Sequence, residues 1–493
     1  MIRPHQTLLF LLGVGAIAIA LMFVVPKGGV NVLGVSLRYP TWDEFVSSDT
    51  AQVVDMDAIL RASHMTRLDT AGKARSEAEK RAQEKLLRTL EFRKLQFAES
   101  DTLRLSKFSA ALAGIGNNGR VRVLHFGDSQ IEGDRITSYL REEWQEEYGG
   151  YGPGMLAVTP LAPNFSIRQT HSENWNRYTA FGRRDSNITH SDYGYRAVLC
   201  RYTSPILDTT LSDTTMGWLE FRPSVQGYKH VRQYSRMRLF FGKNRKAVRL
   251  TVYVNDTLYT EELIQANSKL MSRSWNFSAT PKVIRFEFEG ADSPDVYGLT
   301  LEGNSGVTVD NIAMRGASGV VFTRMSRASF AEMVGTEPVH LIIYQYGGNT
   351  VPYIKDEQHA QQYARRVRRQ IQRLKVLAPE ATIVMVGPSD MSRKEGTSYV
   401  TYEAVPWVRN ELRKVALSEN VGFWDIFGAM GGQNSMPEWV SAKPPLAGQD
   451  YIHFTPRGAR QVATWMYEAF EREMYPERYA DTTDVQPDTT AIQ

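Results

Sequence analysis

Hydrophobic residues follow two different patterns along the chain. In the first pattern, short apolar runs alternate with helical segments. The run at residues 121–126 precedes a helix at 136–148, and the run at 339–344 precedes a helix whose apolar residues share one face. Further strands and helices are predicted at residues 382–386, 404–417, 421–424 and 456–474. Strands separated by helices predict an α/β domain with a parallel sheet that helices cover on both faces.

The second pattern lies between residues 164 and 305. There Met237, Leu239 and Phe241 alternate with polar residues, and the same alternation recurs at residues 248–254 and 284–288. A period of two without a helical signal predicts antiparallel strands. We therefore predict an antiparallel β-sandwich at residues 164–305, inserted into an α/β domain that comprises residues 108–163 and 306–475.

The start of the chain carries a long apolar segment. Residues 7–25 are uncharged and would span about 28 Å as a helix, which is close to the hydrocarbon thickness of a bilayer. This predicts an uncleaved transmembrane anchor within residues 1–30. A cleavable signal peptide is the alternative, because Ala18-Ile19-Ala20 has the form of a cleavage site. However, the apolar run continues as far as Val25.

Two further segments flank the predicted domains. Residues 31–107 are predicted to be a linker and a helical stalk, because pairs such as Glu77/Arg81 and Lys80/Glu84 stand four residues apart within a helix at 71–107. A helix packed against the main domain is the alternative to a stalk. The tail at residues 476–493 is rich in Thr, Asp and Gln from Ala480 on and is predicted to be disordered.

Charge and cysteine content exclude several classes of function. The net charge is +4 over 493 residues, without the basic tract that is typical of nucleic-acid binding. The single cysteine, Cys200, excludes an intrachain disulfide, and the sequence has no Cys/His cluster of the zinc-binding kind. We therefore expect no nucleic-acid partner, no metal and no cofactor.

Candidate catalytic residues stand where loops of an open α/β sheet are expected. Ser129 directly follows the strand at 121–126, and Asp450 and His453 come just before the last helix. A serine hydroxyl needs a neighbouring base, and that base needs a third group to orient it. We predict that Ser129 is the nucleophile, His453 the base and Asp450 the orienting acid. Thr455 is the predicted N-cap of the last helix, with Pro456 at the first helical position.

An oxyanion hole requires hydrogen-bond donors beside the nucleophile. Asn349 follows the strand at 339–344, so its side-chain amide is one candidate donor. The backbone of Gly316, after the strand that resumes the α/β domain, is another, with Gly319 as the alternative glycine. Asp128 is expected to be structural, and His125, on the strand before the nucleophile, is expected to be buried and hydrogen-bonded.

Four sequence blocks carry a family resemblance. GDSQIEGDRIT, VDNIAMRGAS, IIYQYGGN and DYIHFTPRGA resemble the SGNH hydrolase blocks, in the order of that family. They look most like the bacterial peptidoglycan O-acetylesterases, which carry an inserted carbohydrate-binding-like β-sandwich. The resemblance implies a flavodoxin-like sheet and the triad Ser129, Asp450 and His453. It also implies an oxyanion hole formed by the backbone N–H groups of Ser129 and Gly316 and the side chain of Asn349.

The same resemblance implies a function. The expected enzyme is a serine esterase that removes O-acetyl groups from a cell-envelope polysaccharide, peptidoglycan above all, through an acetyl-serine intermediate. A polysaccharide O-acetyltransferase with the same triad and a carbohydrate-binding envelope protein are the alternatives. Trp218 and Tyr228 in the insert suit sugar stacking or the sandwich core. The expected partners are acetylated polysaccharide and the bacterial inner membrane, with the catalytic domain in the periplasm.

Overall fold

The computed structural model describes residues 89–482 except 117, 207–213 and 336–337, together with residues 20, 30–32, 35–37 and 87. The chain divides into two compact units, Met1–Lys80 and Arg81–Gln493. In the first unit, β1 (Val30–Val32) and β2 (Val35–Leu37) form an antiparallel hairpin. No helix within the described residues is long and apolar enough to cross a membrane. The predicted anchor at residues 7–25 lies, except for Ala20, outside the described residues.

The second unit contains the remaining strands and all of the α-helices named below. Its strands are β3 (Leu95–Gln96), β4 (Arg120–Gly127), β5 (Gly154–Leu156), β6 (Ile167–His171), β7 (Asn176–Thr179), β8 (Val198–Arg201), β9 (Thr215–Pro223), β10 (Arg236–Gly242), β11 (Val248–Val254), β12 (Thr257–Ile264), β13 (Leu270–Asn276), β14 (Ile284–Gly290), β15 (Asp295–Glu302), β16 (Gly306–Ala313), β17 (Val339–Gln345), β18 (Thr382–Val386), β19 (Ser392–Glu395), β20 (Ser398–Thr401) and β21 (Gly422–Trp424). Its helices are α1 (Ser106–Ala113), α2 (Thr137–Tyr148), α3 (Arg327–Val334), α4 (Glu357–Leu377), α5 (Ala404–Ser418), α6 (Ile426–Met430), α7 (Ser435–Ser441) and α8 (Pro456–Met474).

A six-stranded sheet forms the centre of the α/β part. Its spatial order is β16-β4-β17-β18-β21-β3, and all neighbours are parallel except β3, which pairs antiparallel with β21. Counted along the chain from β4 to β21, the parallel strands have the flavodoxin-like order 2-1-3-4-5. After the central strand β4, the chain therefore adds β16 on one side and then β17, β18 and β21 on the other. The resulting crevice lies at the carboxyl ends of β4 and its neighbours, where open α/β sheets bind ligands.

Helices cover both faces of this sheet, as predicted. On one face, α4 and α5 pack against buried residues such as Leu124 and Ile342. On the other face, α2 and α8 pack against Val123 and Ile343. Adjacent residues of a strand point to opposite faces, so a strand that is covered on both sides needs a continuous apolar run. The uninterrupted runs in β4 and β17 fit this requirement.

The inserted segment forms two antiparallel sheets. One has the order β12-β11-β14-β9-β6, and the other has the order β13-β10-β15-β8-β7, with β5 paired to β15. Leu219 and Phe286 of the first sheet share one buried core with Leu239 and Leu299 of the second. The predicted alternation is therefore confirmed as a two-sheet arrangement. Because β5 pairs with β15, the two-sheet arrangement begins before residue 164, the boundary predicted from the sequence.

The helix predicted at residues 71–107 is wrong in its described C-terminal part. Residues 89–92 are helical, but Leu95 and Gln96 form the edge strand β3. Leu95 is buried, and the pairing satisfies backbone groups along the outer edge of β21. The spacing of charges within the segment cannot reveal a partner more than 300 residues away. Most of residues 71–88 lie outside the described part of the chain.

The folded part of the chain extends beyond residue 476, where the sequence predicts a disordered tail. Pro476–Thr482 forms a 3-10 helix after α8. Within it, Arg478 Nη1 donates hydrogen bonds to Glu147 Oε1 at 2.8 Å and to Glu471 Oε2 at 3.0 Å. Residues from 483 on lie outside the described residues.

Candidate active site

Ser129 stands in the turn that follows β4. Gly127 ends this strand, and a Cβ atom there would lie 2.8 Å from the Ile131 side chain, so the turn needs a glycine at this position. The backbone N–H of Glu132 donates to the carbonyl of Ser129 at 3.3 Å. The backbone N–H of Gln130 donates to Asp128 Oδ1 at 3.0 Å. These hydrogen bonds hold the half-buried Ser129 at the carboxyl end of the central strand.

The structure brings Ser129, His453 and Asp450 together. The Ser129 hydroxyl is hydrogen-bonded to Nε2 of His453 at 2.8 Å, and Nδ1 of His453 is hydrogen-bonded to Oδ2 of Asp450 at 2.6 Å. This is the order of contacts that a nucleophile, base and orienting acid require. Partial burial on its own raises the pKa of Asp450. Hydrogen bonds from the His453 side chain and from the backbone of His453 and Ile452 outweigh burial and hold that pKa below its usual range.

The loop before α8 positions Asp450 and His453. Tyr451, between them, has a φ of 56° and stacks on Tyr399 of β20, with ring centroids 3.5 Å apart. Thr455 Oγ1 accepts from the backbone N–H of Gly458 at 3.2 Å, and Pro456 begins α8. The predicted N-cap is therefore confirmed. It fixes the start of the helix at Pro456, three residues after His453.

Two further side chains join the Ser129 turn to the His453 loop. Arg135 Nη2 donates to the carbonyl of Ser129 at 2.8 Å, and its Nη1 donates to the carbonyl of Phe454 at 3.3 Å. Gln130 Nε2 donates to the carbonyl of Ile452 at 2.7 Å. Sequence reasoning missed both residues, although both lie in the block GDSQIEGDRIT. The polar side chains that follow Ser129 within this block were the available signal.

Asn349 follows β17, as predicted, and lies beside the Ser129 turn. Its Nδ2 donates to Asp128 Oδ2 at 3.0 Å and to the carbonyl of Ala317 at 3.2 Å. A side-chain amide has two N–H donors, so both are engaged in this arrangement. The role of Asn349 as an oxyanion donor stays a prediction, and it requires that one of these hydrogen bonds be exchanged for the substrate.

Asp128 is the acceptor that holds Asn349. Its side chain is almost fully buried, and burial raises its pKa to about 6. Hydrogen bonds from the Gln130 backbone and the Asn349 side chain, together with the charge of His453, act in the opposite direction. Asp128 therefore has the structural role expected from the sequence.

Gly316 lies in a turn next to the end of β4. The backbone N–H of Ala317 donates to the carbonyl of Met314 at 2.9 Å, and the backbone N–H of Met314 donates to the carbonyl of Gly127 at 2.7 Å. Gly316 has a φ of 77°, which suits the third position of a type II turn, and a Cβ atom there would meet open space. A Cβ on the alternative, Gly319, would collide with the Tyr344 hydroxyl. The geometry favours Gly316 as the glycine that borders the crevice, and its oxyanion role stays a prediction.

The other residues singled out in the sequence have structural surroundings. His125 is fully buried, with Nε2 at 3.0 Å from Gln345 Oε1 and Nδ1 at 2.9 Å from Thr137 Oγ1, as expected. Burial lowers the pKa of His125 to about 4. Trp218 lies outside the shared sandwich core, under the guanidinium of Arg285.

Tyr228 also lies outside the shared sandwich core. Its ring is 5.4 Å from that of Phe165 and 6.4 Å from that of Tyr139 on α2. Tyr228 therefore stands where the insert meets the α/β part. The role of Tyr228 in sugar binding stays a prediction.

One group of potential metal ligands occurs within the described residues. Glu142 and Glu146 of α2 and His230 of the insert place ligand atoms within 4.8 Å of one another. His230 Nδ1 lies 3.1 Å from Glu142 Oε1, and its Nε2 lies 3.4 Å from Glu146 Oε2. Lys229 lies 3.5 Å from Glu146. These contacts engage both carboxylates, and we assign no metal to the group.

Comparisons with known proteins agree with this architecture. Residues 286–461 match the family model of the GDSL-like lipase/acylhydrolases. This span includes Gly316, Asn349, Asp450 and His453 but begins after the Ser129 block. No curated protein matches the sequence.

Solved structures give matches of very different quality. A peptidoglycan O-acetylesterase matches with a TM-score of 0.58 and 19% identity, over 77% of this chain and 99% of that chain. A family two carbohydrate esterase from Clostridium thermocellum has a TM-score of 0.25 and 8% identity, over 61% of this chain and 99% of that chain. A carbohydrate acetylesterase from Sinorhizobium meliloti has a TM-score of 0.25 and 11% identity, over 34% and 79%.

The family match and the first structural match carry the assignment. The family model matches residues 286–461, and the structural match shows a shared fold over 77% of this chain. Residues 286–461, which contain three of the four sequence blocks, therefore match the GDSL-like lipase/acylhydrolase family model, as those blocks predicted.

Proposed function

We propose that this protein is a serine esterase that removes O-acetyl groups from a cell-envelope polysaccharide, with peptidoglycan as the polysaccharide. One observation carries the proposal: Ser129, His453 and Asp450 form a continuous hydrogen-bonded chain at the crevice of the sheet. The family match supports hydrolysis of an ester, and the shared fold with a peptidoglycan O-acetylesterase supports the choice of substrate.

The geometry suits a two-step acyl transfer. Ser129 Oγ attacks the acetyl carbonyl carbon while Nε2 of neutral His453 takes the hydroxyl proton. The bond from that carbon to the sugar oxygen then breaks, and the imidazolium returns the proton to the sugar oxygen. Asp450, kept ionised by its hydrogen bonds, stabilises the imidazolium between these events. The product of the first step is acetyl-Ser129 and a free sugar hydroxyl.

Water completes the second step. His453 Nε2 removes a proton from a water molecule, the hydroxide adds to the acetyl carbon, and the bond to Ser129 Oγ breaks with return of the proton to Ser129. Negative charge develops on the acetyl oxygen in both steps. The predicted donors for it are the backbone N–H groups of Ser129 and Gly316 and the side chain of Asn349.

Replacing the nucleophile tests the proposal. The full chain and its Ser129→Ala variant are incubated with O-acetylated peptidoglycan, and acetate is measured. We expect acetate release by the wild type and essentially none by the variant, because no other group can form the acetyl intermediate. Ser441→Ala, which removes an exposed hydroxyl on α7, is the matched control and keeps wild-type turnover. A folded Ser129→Ala protein with wild-type turnover would contradict the proposal.

A second incubation separates hydrolysis from acetyl transfer. It contains a small acetyl donor and unacetylated glycan oligomers. Free acetate should accumulate faster than acetylated oligomers if water is the acceptor. The opposite order would assign the protein as an O-acetyltransferase.

We also propose that residues 7–25 anchor the protein in the inner membrane, with the catalytic domain in the periplasm. The uninterrupted apolar run supports this placement. In a Gram-negative host, the full chain should fractionate with membranes and lose this behaviour when the residues before Val32 are deleted. A mature N-terminus near Leu21, found by mass spectrometry, would show a cleaved signal peptide instead.

A further inference from the structure

A cavity of about 50 Å³ lies where the insert meets the α/β part. Its lining includes Arg177 on β7, Arg196 just before β8, Asn311 on β16 and Glu132 in the segment after Ser129. The loop at residues 157–162 forms another wall. Leu161 of this loop is 48% exposed, so the cavity lies directly beneath the molecular surface. The volume suffices for a group of a few heavy atoms.

Two guanidinium groups in this lining have no carboxylate partner. Arg196 is only 8% exposed, and its Nη1 donates to the backbone carbonyl of Asn311 at 3.3 Å. Among the residues that the structure describes, no carboxylate lies within 4.0 Å of Arg196 or of Arg177. The nearest acid in the lining, Glu132, is already bound by Arg315, whose Nε donates to it at 2.6 Å. Buried charges are normally paired, because an unpaired one is costly to remove from water.

Burial disfavours the charged form of both arginines. It is the main cause that lowers the pKa of Arg196 to about 10; Tyr195 acts in the opposite direction, and the charge of Arg177 lowers this pKa further. Burial also lowers the pKa of Arg177, against the opposing charge of Glu132. Both side chains keep a positive charge at neutral pH. An anion between them would relieve their mutual repulsion and satisfy their free donors.

The cavity adjoins the nucleophile through short connections. Asn311 Nδ2 donates to the carbonyl of Ile131 at 2.9 Å, two residues after Ser129. Ala313, at the end of β16, lines the cavity and leads directly into the turn that contains Gly316. Arg315 of that turn holds the cavity loop, because its Nη2 donates to the carbonyl of Leu161 at 3.4 Å. The cavity therefore lies beside the segment that carries Ser129, where the acetyl group of a bound glycan would be placed.

We propose that this cavity binds a carboxylate of the acetylated glycan, held by Arg177 and Arg196. The planar guanidinium group presents its donors in a fork that matches a carboxylate. The inference rests on the proposed function, because it assumes an acetylated sugar at Ser129. It adds that the enzyme recognises a charge on the substrate, apart from the acetyl group that it removes.

Three soluble substrates test the proposal with the full chain. The first is the methyl glycoside of 6-O-acetylated N-acetylmuramic acid, which carries a lactyl carboxylate. The second is the corresponding N-acetylglucosamine derivative, which lacks the lactyl group. The third is 6-O-acetylated muramoyl dipeptide, in which the lactyl carboxyl is amidated and the carboxylate belongs to the peptide. We expect kcat/KM to be about 10- to 100-fold higher for one of the charged substrates than for the neutral one.

The identity of the preferred charged substrate distinguishes the two sources of the carboxylate. A preference for the muramic acid derivative shows that the bound carboxylate is that of the lactyl group. A preference for the dipeptide shows that it is that of the peptide. Both outcomes support the proposal. Equal kcat/KM values for all three substrates would overturn it while leaving the esterase function intact. Failure to hydrolyse any acetylated sugar, with activity on 4-nitrophenyl acetate retained, would instead overturn the proposed function and the inference with it.

Arginine variants show whether this cavity causes the preference for the charged substrate. Arg177→Met and Arg196→Met should abolish the preference for the charged substrate and leave turnover of 4-nitrophenyl acetate unchanged. Arg183→Met, which removes an exposed arginine of the same insert, is the matched control and should keep the preference. The melting temperature of Arg196→Met should not fall, because the change removes an unpaired buried charge. A retained preference in both cavity variants would overturn the proposal.

Discussion

Asn349 and Asp128 illustrate how one pair of residues links the fold to the predicted chemistry. The amide of Asn349 donates to the buried carboxylate of Asp128, which is itself fixed by the turn that carries Ser129. The carboxylate therefore sets the orientation of the amide relative to Ser129. An oxyanion donor must be oriented before the reaction begins, because reorientation during the reaction would cost free energy.

Removing the amide should therefore reduce turnover more than binding. For Asn349→Ala we expect kcat on a small acetyl ester to fall by about 10²–10³, with KM nearly unchanged, if the amide donates to the developing oxyanion. Steady-state kinetics of the folded variant measure both constants. A change confined to KM would contradict the predicted role.

Asp128 should make the stability of the protein depend on pH. Burial raises its pKa to about 6 in the folded state, from about 3.9 in an unfolded chain. The folded state therefore retains the proton at pH values where the unfolded state releases it. The stability contributed by Asp128 is fully present below about pH 4 and is lost as the pH rises through about 6.

The variant Asp128→Asn lacks this titration. Between pH 4 and pH 7, the free energy of unfolding of the variant should rise relative to that of the wild type by about 2–3 kcal/mol. Urea denaturation at several pH values measures the difference. A difference that stays constant over this range would show that Asp128 does not titrate as proposed.

At the scale of elements, the helix α8 connects local sequence to the position of the base. It begins at Pro456, and the Thr455 hydroxyl accepts from the backbone N–H of Gly458. The same hydroxyl donates to the carbonyl of Pro445 at 2.8 Å, which ties the helix start to the preceding loop. His453 therefore stands on a loop whose end is fixed by a cap.

Loss of this cap should reduce stability by a modest amount. For Thr455→Ala we expect the free energy of unfolding to fall by about 1 kcal/mol, because the first turn of α8 loses a hydrogen-bond acceptor. Thr455→Ser keeps the hydroxyl and should remain close to the wild type. Urea denaturation of both variants checks the prediction, and equal losses in the two would contradict it.

Elements that depend on local sequence were predicted well. The strand Thr382–Val386 and the helix Pro456–Met474 have the predicted bounds, since an apolar run or a cap followed by proline defines each one. The candidate triad residues were identified in the same way, because each stands next to a predicted strand or helix. Local pattern therefore located the loops that bring Ser129, Asp450 and His453 together.

Features that depend on distant partners were not predicted. The strand β3 exists because it pairs with β21, and β5 exists because it pairs with β15. Likewise, Arg135 and Gln130 have their roles because the loop at Ile452 and Phe454 lies opposite them. Within the described residues no carboxylate lies within 4.0 Å of Arg196, which only the folded chain can show. None of these relations leaves a periodic signal in the sequence.

At the scale of the whole molecule, a buried ion-pair network joins the insert to the parallel sheet. Arg122 of β4 contacts Glu302, the last residue of β15, at 2.6 Å and Asp310 of β16 at 2.8 Å. The Tyr195 hydroxyl of the insert donates to the same carboxylate oxygen of Asp310 at 3.0 Å. The network therefore connects the segments before, within and after the insert. We infer that the two parts of the second unit unfold together.

Glu302 offers a direct test of this coupling. Its buried carboxylate lies 2.6 Å from Arg122, 2.8 Å from Arg120 and 3.7 Å from Arg236, so Glu302→Gln removes a buried counter-charge that three guanidinium groups share. Breaking a buried pair in this way costs about 3–5 kcal/mol of the free energy of unfolding. The control Glu287→Gln lies on the outer face of the insert, where the loss should stay below about 1 kcal/mol. Hydrogen exchange followed by mass spectrometry should show the strands of the insert and β4 losing protection together in Glu302→Gln. Loss of protection in the insert alone would show that the two parts unfold independently.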